Sequence, residues 1–518
     1  MPPEAIHFHC ERHGNELEDP MLLPLPFQSV GFWNCDEPRD VSPQPIILEL
    51  LLRRILTFVV LTLAVLPTTS RAIAAGRFFL HNGDRVCFYG DSITEQRFYA
   101  VAVETYAVTR FPKLKVDFVD SGVGGDRVTG GWAGPIDVRL KRDVYPFKPT
   151  VVTIMLGMND ASYRPFDAKI FDTYKKGYKH LVDALKKHLP GLRIVILGPS
   201  PFGPSPFANI KHRFPGGYNG VLQRYDEFDK QLAAKDHLYY VDFNAPMLAV
   251  IKKLQATQPQ YASQVIPGRV HPSAAGELLM AEALLKLWNA PAAVTKVAIS
   301  GDKVQLAGNT QVTNLHTGVD GDIRWTQRDG SLPFPMLSLH EVWPQFPPEN
   351  GWQSPQPNFH FINPPAQAII RAGHLYRRLD QEQLQVAGLS AKSYKLSING
   401  QAVGTFSATA LARGINLARY RTPMLLQAYH VLAMVWNRTQ VRFYAWRDVQ
   451  LPIEQYCPPW NSPRLILFPG VSVAARAVVR TDGENLAHAI YATLPDMLSA
   501  ERQAATPLAD HYELKPVK

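Results

Sequence analysis

Residues 85–94 read Arg-Val-Cys-Phe-Tyr-Gly-Asp-Ser-Ile-Thr, and this stretch decides the fold. Its apolar first half predicts a buried strand, and its polar second half predicts a sharp turn into a helix. Ser92 would then lie at the carboxyl end of the strand, on the first turn of that helix. Backbone N–H groups and the positive end of the helix dipole point toward such a position. The turn therefore suits a nucleophilic hydroxyl.

Outside this stretch, apolar runs alternate with helical patterns. The runs cover residues 85–89, 114–119, 150–156, 193–198 and 238–242, and the helical patterns cover residues 94–110, 168–188, 217–235 and 273–288. Such alternation is typical of a parallel sheet with helices on both faces. We expect an α/β fold with a flavodoxin-like, doubly wound sheet of five parallel strands in the order 2-1-3-4-5. Ligands bind such sheets where the strand order reverses, at the carboxyl ends of the first and third strands.

Three further polar blocks follow in the order that one chemistry requires. They are residues 120–127 (Asp-Ser-Gly-Val-Gly-Gly-Asp-Arg), 157–160 (Gly-Met-Asn-Asp) and 270–272 (Val-His-Pro). Acyl transfer through a serine needs a base for the hydroxyl proton and donors for the charge on the tetrahedral oxygen. His271 can be the base. The N–H groups of Ser92 and Gly125 and the carboxamide of Asn159 can be the donors. Capping and turn formation also explain each residue singly, but all four such explanations would have to hold together.

These four blocks resemble those of the SGNH (GDSL-type) hydrolases, over roughly residues 78–290. The resemblance implies that Ser92 is the nucleophile of a serine esterase and that His271 is its general base. It also implies that Ser92, Gly125 and Asn159 form the oxyanion hole. No cofactor is implied, and no Cys or His spacing suggests a metal site. The motifs specify the superfamily and not the substrate.

One position departs from the family pattern. The family usually carries an aspartate three residues before the histidine, and this chain has Gly268 there. That carboxylate would hold the imidazole in its useful tautomer. Three interpretations stay open: a Ser-His dyad, a substitute carboxylate, or a slow or inactive protein. The candidate substitute is Asp242, because it follows the strand at 238–241 on the same edge of the sheet.

The amino-terminal region differs in composition from the rest. Residues 1–52 are polar and rich in proline, and they predict a disordered extension or a misassigned start. Residues 53–75 contain an arginine pair, a 12-residue apolar run and small residues at Ala72 and Ala74. This pattern is typical of a secretory signal, and the run is short for a membrane span. We therefore expect an exported protein, periplasmic or extracellular, with no integral span after cleavage.

The net charge bears on the partners of the protein, and the cysteine content bears on its disulfides. The whole chain carries +9 and its first 75 residues carry −4, so the remainder carries +13. This balance is compatible with anionic polysaccharide or envelope surfaces as partners, but a scattered surface charge is the simpler interpretation. Nucleic acid is not indicated, because no nucleic-acid-binding motif is present. The chain has four cysteines, and they predict no disulfide framework.

The sequence predicts a catalytic domain at 76–291, a β-rich accessory domain at 292–455 and a final segment at 456–518. Hairpins are expected at 294–306 and at 394–406, where Asn399-Gly400 forms the turn. The accessory region also contains a segment rich in proline and aromatics at 332–365. Further expectations are a helix from Pro423, a strand over Val441–Trp446, helical pattern near 486–503 and a polar tail.

Taken together, the residues favour an exported serine esterase that removes short O-acyl groups, above all acetyl groups from carbohydrate. Its expected partner is a small-molecule or polysaccharide ester substrate. Lipid and thioester substrates stay open. The alternative from another class is a weak or inactive SGNH-fold protein that binds glycans, and Gly268 is the feature that favours it.

Overall fold

The structure is a computed structural model that describes residues 76–203, 216–336, 363–451, 453 and 473–517. The predicted extension (1–52), the predicted signal peptide (53–75) and most of the segment at 332–365 lie outside the described residues. Within the described ranges, no helix is long and apolar enough to cross a membrane.

A five-stranded parallel sheet forms the amino-terminal half. Its strands are β1 (Arg85–Gly90), β2 (Asp117–Gly122), β5 (Val151–Met155), β6 (Arg193–Leu197) and β7 (Tyr239–Val241). Two short strands, β3 (Gly130–Gly131) and β4 (Gly134–Pro135), form a separate hairpin. The sheet order is β2-β1-β5-β6-β7, and all its pairings are parallel. This confirms the expected 2-1-3-4-5 arrangement. Every residue of β5 is buried, as expected for a central strand covered on both faces.

Helices connect these strands close to where the sequence predicts them. They are α1 (Ser92–Glu95), α2 (Phe98–Arg110), α3 (Ile136–Arg139), α4 (Ala168–His188), α5 (Gly217–Lys235), α6 (Asn244–Thr257), α7 (Pro259–Ala262) and α8 (Ala274–Leu287). The helix predicted over 94–110 is divided, because Arg97 adopts a left-handed conformation with φ of 67°. Aliphatic and aromatic side chains from both strands and helices form one core here.

The carboxy-terminal region is rich in β-structure, which confirms the expected fold class. Its strands are β8 (Ala293–Ser300), β9 (Lys303–Gly308), β10 (Thr310–Thr317), β11 (Ile323–Asp329), β12 (Gln381–Ala387), β13 (Ser393–Ile398), β14 (Gln401–Ser407), β15 (Ile415–Asn416) and β16 (Ala509–Pro516). They form two sheets, in the orders β10-β11-β16-β13-β14 and β15-β12-β8-β9. Both predicted hairpins are present, as β8–β9 and β13–β14.

Helices complete this region: α9 (Pro364–Ala372), α10 (Leu375–Leu379), α11 (Ala408–Arg413), α12 (Pro423–Tyr444), α13 (Val473–Tyr491) and α14 (Leu494–Ala504). The predicted strand over Val441–Trp446 is wrong, since α12 runs to Tyr444 and continues as a π-helix over Ala445–Gln450. Aromatic and β-branched residues favour a strand locally, but here tertiary packing of a long helix decides the conformation.

The predicted polar tail is also wrong, because residues 509–516 form strand β16. Asp510, Tyr512 and Leu514 are buried, whereas the residues between them are at least partly exposed. This alternation has the period of a strand with one covered face. β16 pairs with β11 on one side and with β13 on the other.

Candidate active site

Ser92 lies where β1 passes into α1. The side chain of Asp91 caps this helix by accepting a hydrogen bond of 3.0 Å from the N–H of Ile93. A glycine is required at position 90, because a Cβ there would lie 2.8 Å from the carbonyl oxygen of Met155. The strand can therefore turn tightly against its neighbour β5. Ser92 is left partly exposed at the carboxyl edge of the sheet.

His271 meets Ser92 from a loop that precedes α8. Its Nε2 lies 2.8 Å from the Ser92 Oγ, although the two residues are 179 positions apart in the chain. Ser273 fixes the entry to the helix by capping it at the N–H of Gly276. Partial burial lowers the pKa of His271 below its ordinary value of 6.5, and the charge of Glu95 partly offsets this effect. The imidazole is thus neutral at pH 7 and able to accept a proton.

The other imidazole nitrogen has no partner within the described residues, since no hydrogen bond there involves Nδ1 of His271. Gly268 and His271 line one cavity of about 360 Å³, and a Cβ built on Gly268 meets nothing within 4 Å. Asp242 accepts a hydrogen bond of 2.9 Å from the N–H of Ala245 instead, and no described hydrogen bond joins it to His271. The structure therefore brings Ser92 and His271 together and gives Asp242 a helix-capping contact.

The two backbone donors that the sequence predicts are the N–H groups of Ser92 and Gly125. Gly125 is exposed, with φ of 76°, a conformation that favours glycine. Within the described part of the chain, neither its N–H nor that of Ser92 donates a hydrogen bond. A substrate oxygen can therefore use both groups.

Asn159 is 9% exposed and is held by several contacts. Its Oδ1 accepts a hydrogen bond of 3.0 Å from the hydroxyl of Tyr163, so its NH₂ group faces the other way. That group donates to the carbonyl of Asp126 at 3.1 Å and more weakly to Asp91 at 3.4 Å. The second contact is long, and its proton can be redirected toward a charged oxygen.

Buried carboxyl groups brace the loops around the site. Asp160 accepts hydrogen bonds of 3.0 Å from the N–H groups of both Val128 and Gly157, which ties the turn of Asn159 to the loop of Gly125. Burial raises the pKa of Asp91 and of Asp160 to about 7. No described group of three or more His, Cys, Asp or Glu side chains is arranged to hold a metal ion.

Sequence reasoning missed three residues near the site: Glu95, Trp132 and Arg447. Glu95 lies three positions after Ser92 on the same short helix, so helical spacing could have indicated it. Trp132 follows the glycine-rich block but no pattern singles it out. Arg447 comes from a distant segment, and no local signal could have linked it to the site.

The fold and the site together define a carboxylic ester hydrolase. Residues 88–279 match the model of the GDSL-like lipase/acylhydrolase family. This match confirms the resemblance of the four motifs to those of the SGNH (GDSL-type) hydrolase superfamily.

Two known proteins show how far the similarity extends. An acetylxylan esterase of Geobacillus stearothermophilus is 27% identical over 227 residues, which are 40% of this chain and 94% of that protein. The solved structure of a gut microbial diltiazem-metabolizing enzyme is 23% identical and has a TM-score of 0.68. The matched region covers 87% of this chain and 100% of that enzyme's chain, so the shared fold extends into the carboxy-terminal region.

Proposed function

We propose that the protein is an exported serine esterase that removes short acyl groups, in particular acetyl groups from carbohydrate, through an acyl-enzyme intermediate. The observation that carries this proposal is the 2.8 Å contact between Ser92 Oγ and His271 Nε2. This distance is short enough for direct proton transfer, and the lowered pKa of His271 keeps the base in its neutral form.

The reaction runs in two halves. The Ser92 oxygen attacks the ester carbonyl carbon while its proton passes to Nε2 of His271. The tetrahedral intermediate collapses, its bond to the alcohol oxygen breaks, and the leaving alcohol takes the proton from His271. Water then attacks the acyl-serine, with His271 accepting its proton. Departure of the Ser92 oxygen, reprotonated by His271, frees the carboxylic acid.

The negative oxygen of each tetrahedral intermediate needs donors that are already in place. We assign the N–H groups of Ser92 and Gly125 and the carboxamide of Asn159 to this role. The two N–H groups make no other hydrogen bond within the described chain. Loss of one such donor costs about 10²- to 10³-fold in turnover in other hydrolases.

We further propose that Ser92 and His271 act as a dyad. Gly268 offers no carboxylate, and the described hydrogen bond of Asp242 is to Ala245. Solvent in the cavity that Gly268 and His271 share can bond to Nδ1 and hold the ring. Serine hydrolases retain substantial catalysis without the acidic member.

Carbohydrate as substrate and export of the protein have separate support. The Geobacillus stearothermophilus relative, which matches 40% of this chain, is an acetylxylan esterase. The signal-like pattern at 53–75 supports export of the protein.

The test is hydrolysis of 4-nitrophenyl acetate by the purified protein and by Ser92→Ala. We expect the variant to lose at least about 10³-fold in kcat/KM. Equal activity of the two proteins would overturn the proposal and favour the glycan-binding alternative. Acetate release from acetylated xylan, compared with release from triacetin, then distinguishes a carbohydrate ester from a small glycerol ester.

A further inference from the structure

The peptide groups of Gly124, in the loop at 122–126, are held by side chains from two separate segments. The N–H of Gly124 donates a hydrogen bond of 2.7 Å to Glu95 Oε2. Its carbonyl oxygen accepts a hydrogen bond of 2.7 Å from the indole N–H of Trp132. Both polar groups of Gly124 are therefore fixed.

The second of these bonds bears on the site directly, because the carbonyl of Gly124 and the N–H of Gly125 belong to one peptide unit. In a trans peptide these two groups point in opposite directions. Trp132, by holding the oxygen, therefore sets the direction of the N–H. A hydrogen bond at the carbonyl also polarises the peptide and strengthens its N–H as a donor. Gly125 itself has no side chain that could orient or polarise this peptide unit.

Arg447 connects the two side chains that hold Gly124. Its Nε donates a hydrogen bond of 3.1 Å to Glu95 Oε1, and its guanidinium carbon lies 4.4 Å from the centre of the Trp132 ring. A cation over an indole ring is attracted to it and limits its rotation. One residue of the carboxy-terminal region thus holds both supports of the loop.

The segment that carries Arg447 is itself anchored next to the loop. Trp446 and Leu451 form a small apolar cluster with Val123 and Ala133, the chain neighbours of Gly124 and Trp132. In addition, the indole N–H of Trp446 donates a hydrogen bond of 2.8 Å to Asp143. The π-helix over Ala445–Gln450 therefore supports the loop by packing and by charge.

We infer that the carboxy-terminal region completes the esterase site: Arg447, Glu95 and Trp132 are positioning residues that aim the Gly125 N–H at the tetrahedral oxygen. This inference rests on the proposed serine mechanism. Interactions that improve only in the transition state raise kcat and leave KM unchanged. Loss of the positioning contacts should therefore appear in kcat.

The experiment compares Trp132→Phe and Arg447→Gln with the unaltered full chain, using 4-nitrophenyl acetate and phenylboronic acid. Phenylalanine keeps a smaller aromatic ring under Arg447 and removes the N–H donor. We expect each variant to lose about tenfold in kcat, less than the cost of a deleted oxyanion donor, with KM within about twofold. Affinity for the tetrahedral boronate adduct should fall by a similar factor, and Arg447→Lys should recover part of both losses.

Arg480→Gln is the matched control, since Arg480 pairs with Glu484 on the exposed side of α13 and should leave kcat unchanged. Rates are normalised to titrated Ser92, so that a partly unfolded sample does not count as a slow one. Unchanged kcat in both variants would overturn the inference, as would a loss confined to KM, which would make Trp132 a substrate contact. An active Ser92→Ala protein would instead overturn the proposed function.

Discussion

Tyr163 donates a hydrogen bond of 3.0 Å from its hydroxyl to Oδ1 of Asn159. The bond fixes the orientation of the carboxamide, because an amide can otherwise rotate to exchange its carbonyl and NH₂ ends, and this orientation suits the oxyanion role that we propose for Asn159. The Tyr163 ring is held independently, with its centre 5.0 Å from that of Tyr218 in a stacked arrangement. A substitution that removes the Tyr163 hydroxyl should therefore leave the ring in its place.

Tyr163→Phe should lower kcat by about three- to tenfold and leave KM nearly unchanged, because the carboxamide loses the bond that sets its orientation. Steady-state hydrolysis of 4-nitrophenyl acetate measures both kcat and KM. Tyr145→Phe is the control, since the Tyr145 hydroxyl makes only a 3.4 Å contact with Ala184. Equal kcat values for the two variants would contradict the role assigned to Tyr163.

The pH dependence of kcat/KM should follow the protonation of His271. Because burial lowers the pKa of this residue, activity should rise through an apparent pKa below 6.5 and stay level toward neutral pH. Glu95 raises that pKa, so Glu95→Gln should move the rising limb to still lower pH. A shift to higher pH, or none, would show that Glu95 does not act on the base. Glu484→Gln, far along the chain on α13, should leave the profile unchanged.

A carboxylate restored before the histidine should speed the reaction. Gly268→Asp meets no steric obstacle at its Cβ, and the residue shares a cavity with His271. We expect kcat to rise about tenfold or more, because the new carboxylate can accept a bond from Nδ1 and stabilise the imidazolium. Gly268→Asn supplies similar size without charge and should gain less. Unchanged or lower activity in a folded Gly268→Asp protein would mean that the ring is already oriented.

Stability should depend on a buried ion cluster between the two halves of the fold. Arg438 of α12 pairs with Glu104 of α2 and, at 2.8 Å, with Glu501 of α14, and all three are almost fully buried. Arg438→Met leaves two buried carboxyl groups without their cation and should cost about 3–5 kcal/mol in the free energy of unfolding. Urea denaturation measures this, with Arg480→Gln expected to cost less than about 0.5 kcal/mol.

The same variant has a defined pH dependence. Burial already raises the pKa of Glu104 to about 8 and raises that of Glu501, and without Arg438 both should rise further. A carboxyl whose folded pKa exceeds its unfolded pKa stabilises the fold less as pH rises between the two values. The destabilisation of Arg438→Met should thus be larger at pH 8 than at pH 5. The reverse order would contradict the assignment of these carboxyls.

The sequence was sufficient for the parts of the molecule that local patterns determine. Hydrophobic periodicity predicted all five parallel strands and their order, and the turn chemistry after β1 and β5 indicated where Ser92 and Asn159 lie. The structure also places His271 against Ser92, as the order of the blocks suggested. These features depend on residues close in sequence and on the handed geometry of parallel strands.

Other features depend on contacts that no local pattern records. Val441–Trp446 has the composition of a strand, yet it extends a helix because its aromatic residues pack against the catalytic half. The pairing of Arg447 with Glu95 spans 352 positions of the chain. β16 alternates buried and exposed residues as a strand does. The sequence does not indicate its pairing, because many of its residues are polar and because β11 and β13 lie far away along the chain.

The central position of β16 has a consequence for biosynthesis. Its two neighbours in the sheet belong to hairpins, β10–β11 and β13–β14, that leave the ribosome about a hundred or more residues earlier. Each hairpin therefore keeps one edge strand unpaired until residues 509–516 emerge and pair with both β11 and β13. During that interval the nascent chain exposes two open edges, a state prone to pairing with other chains. Chaperone demand should therefore persist until residues 509–516 have emerged.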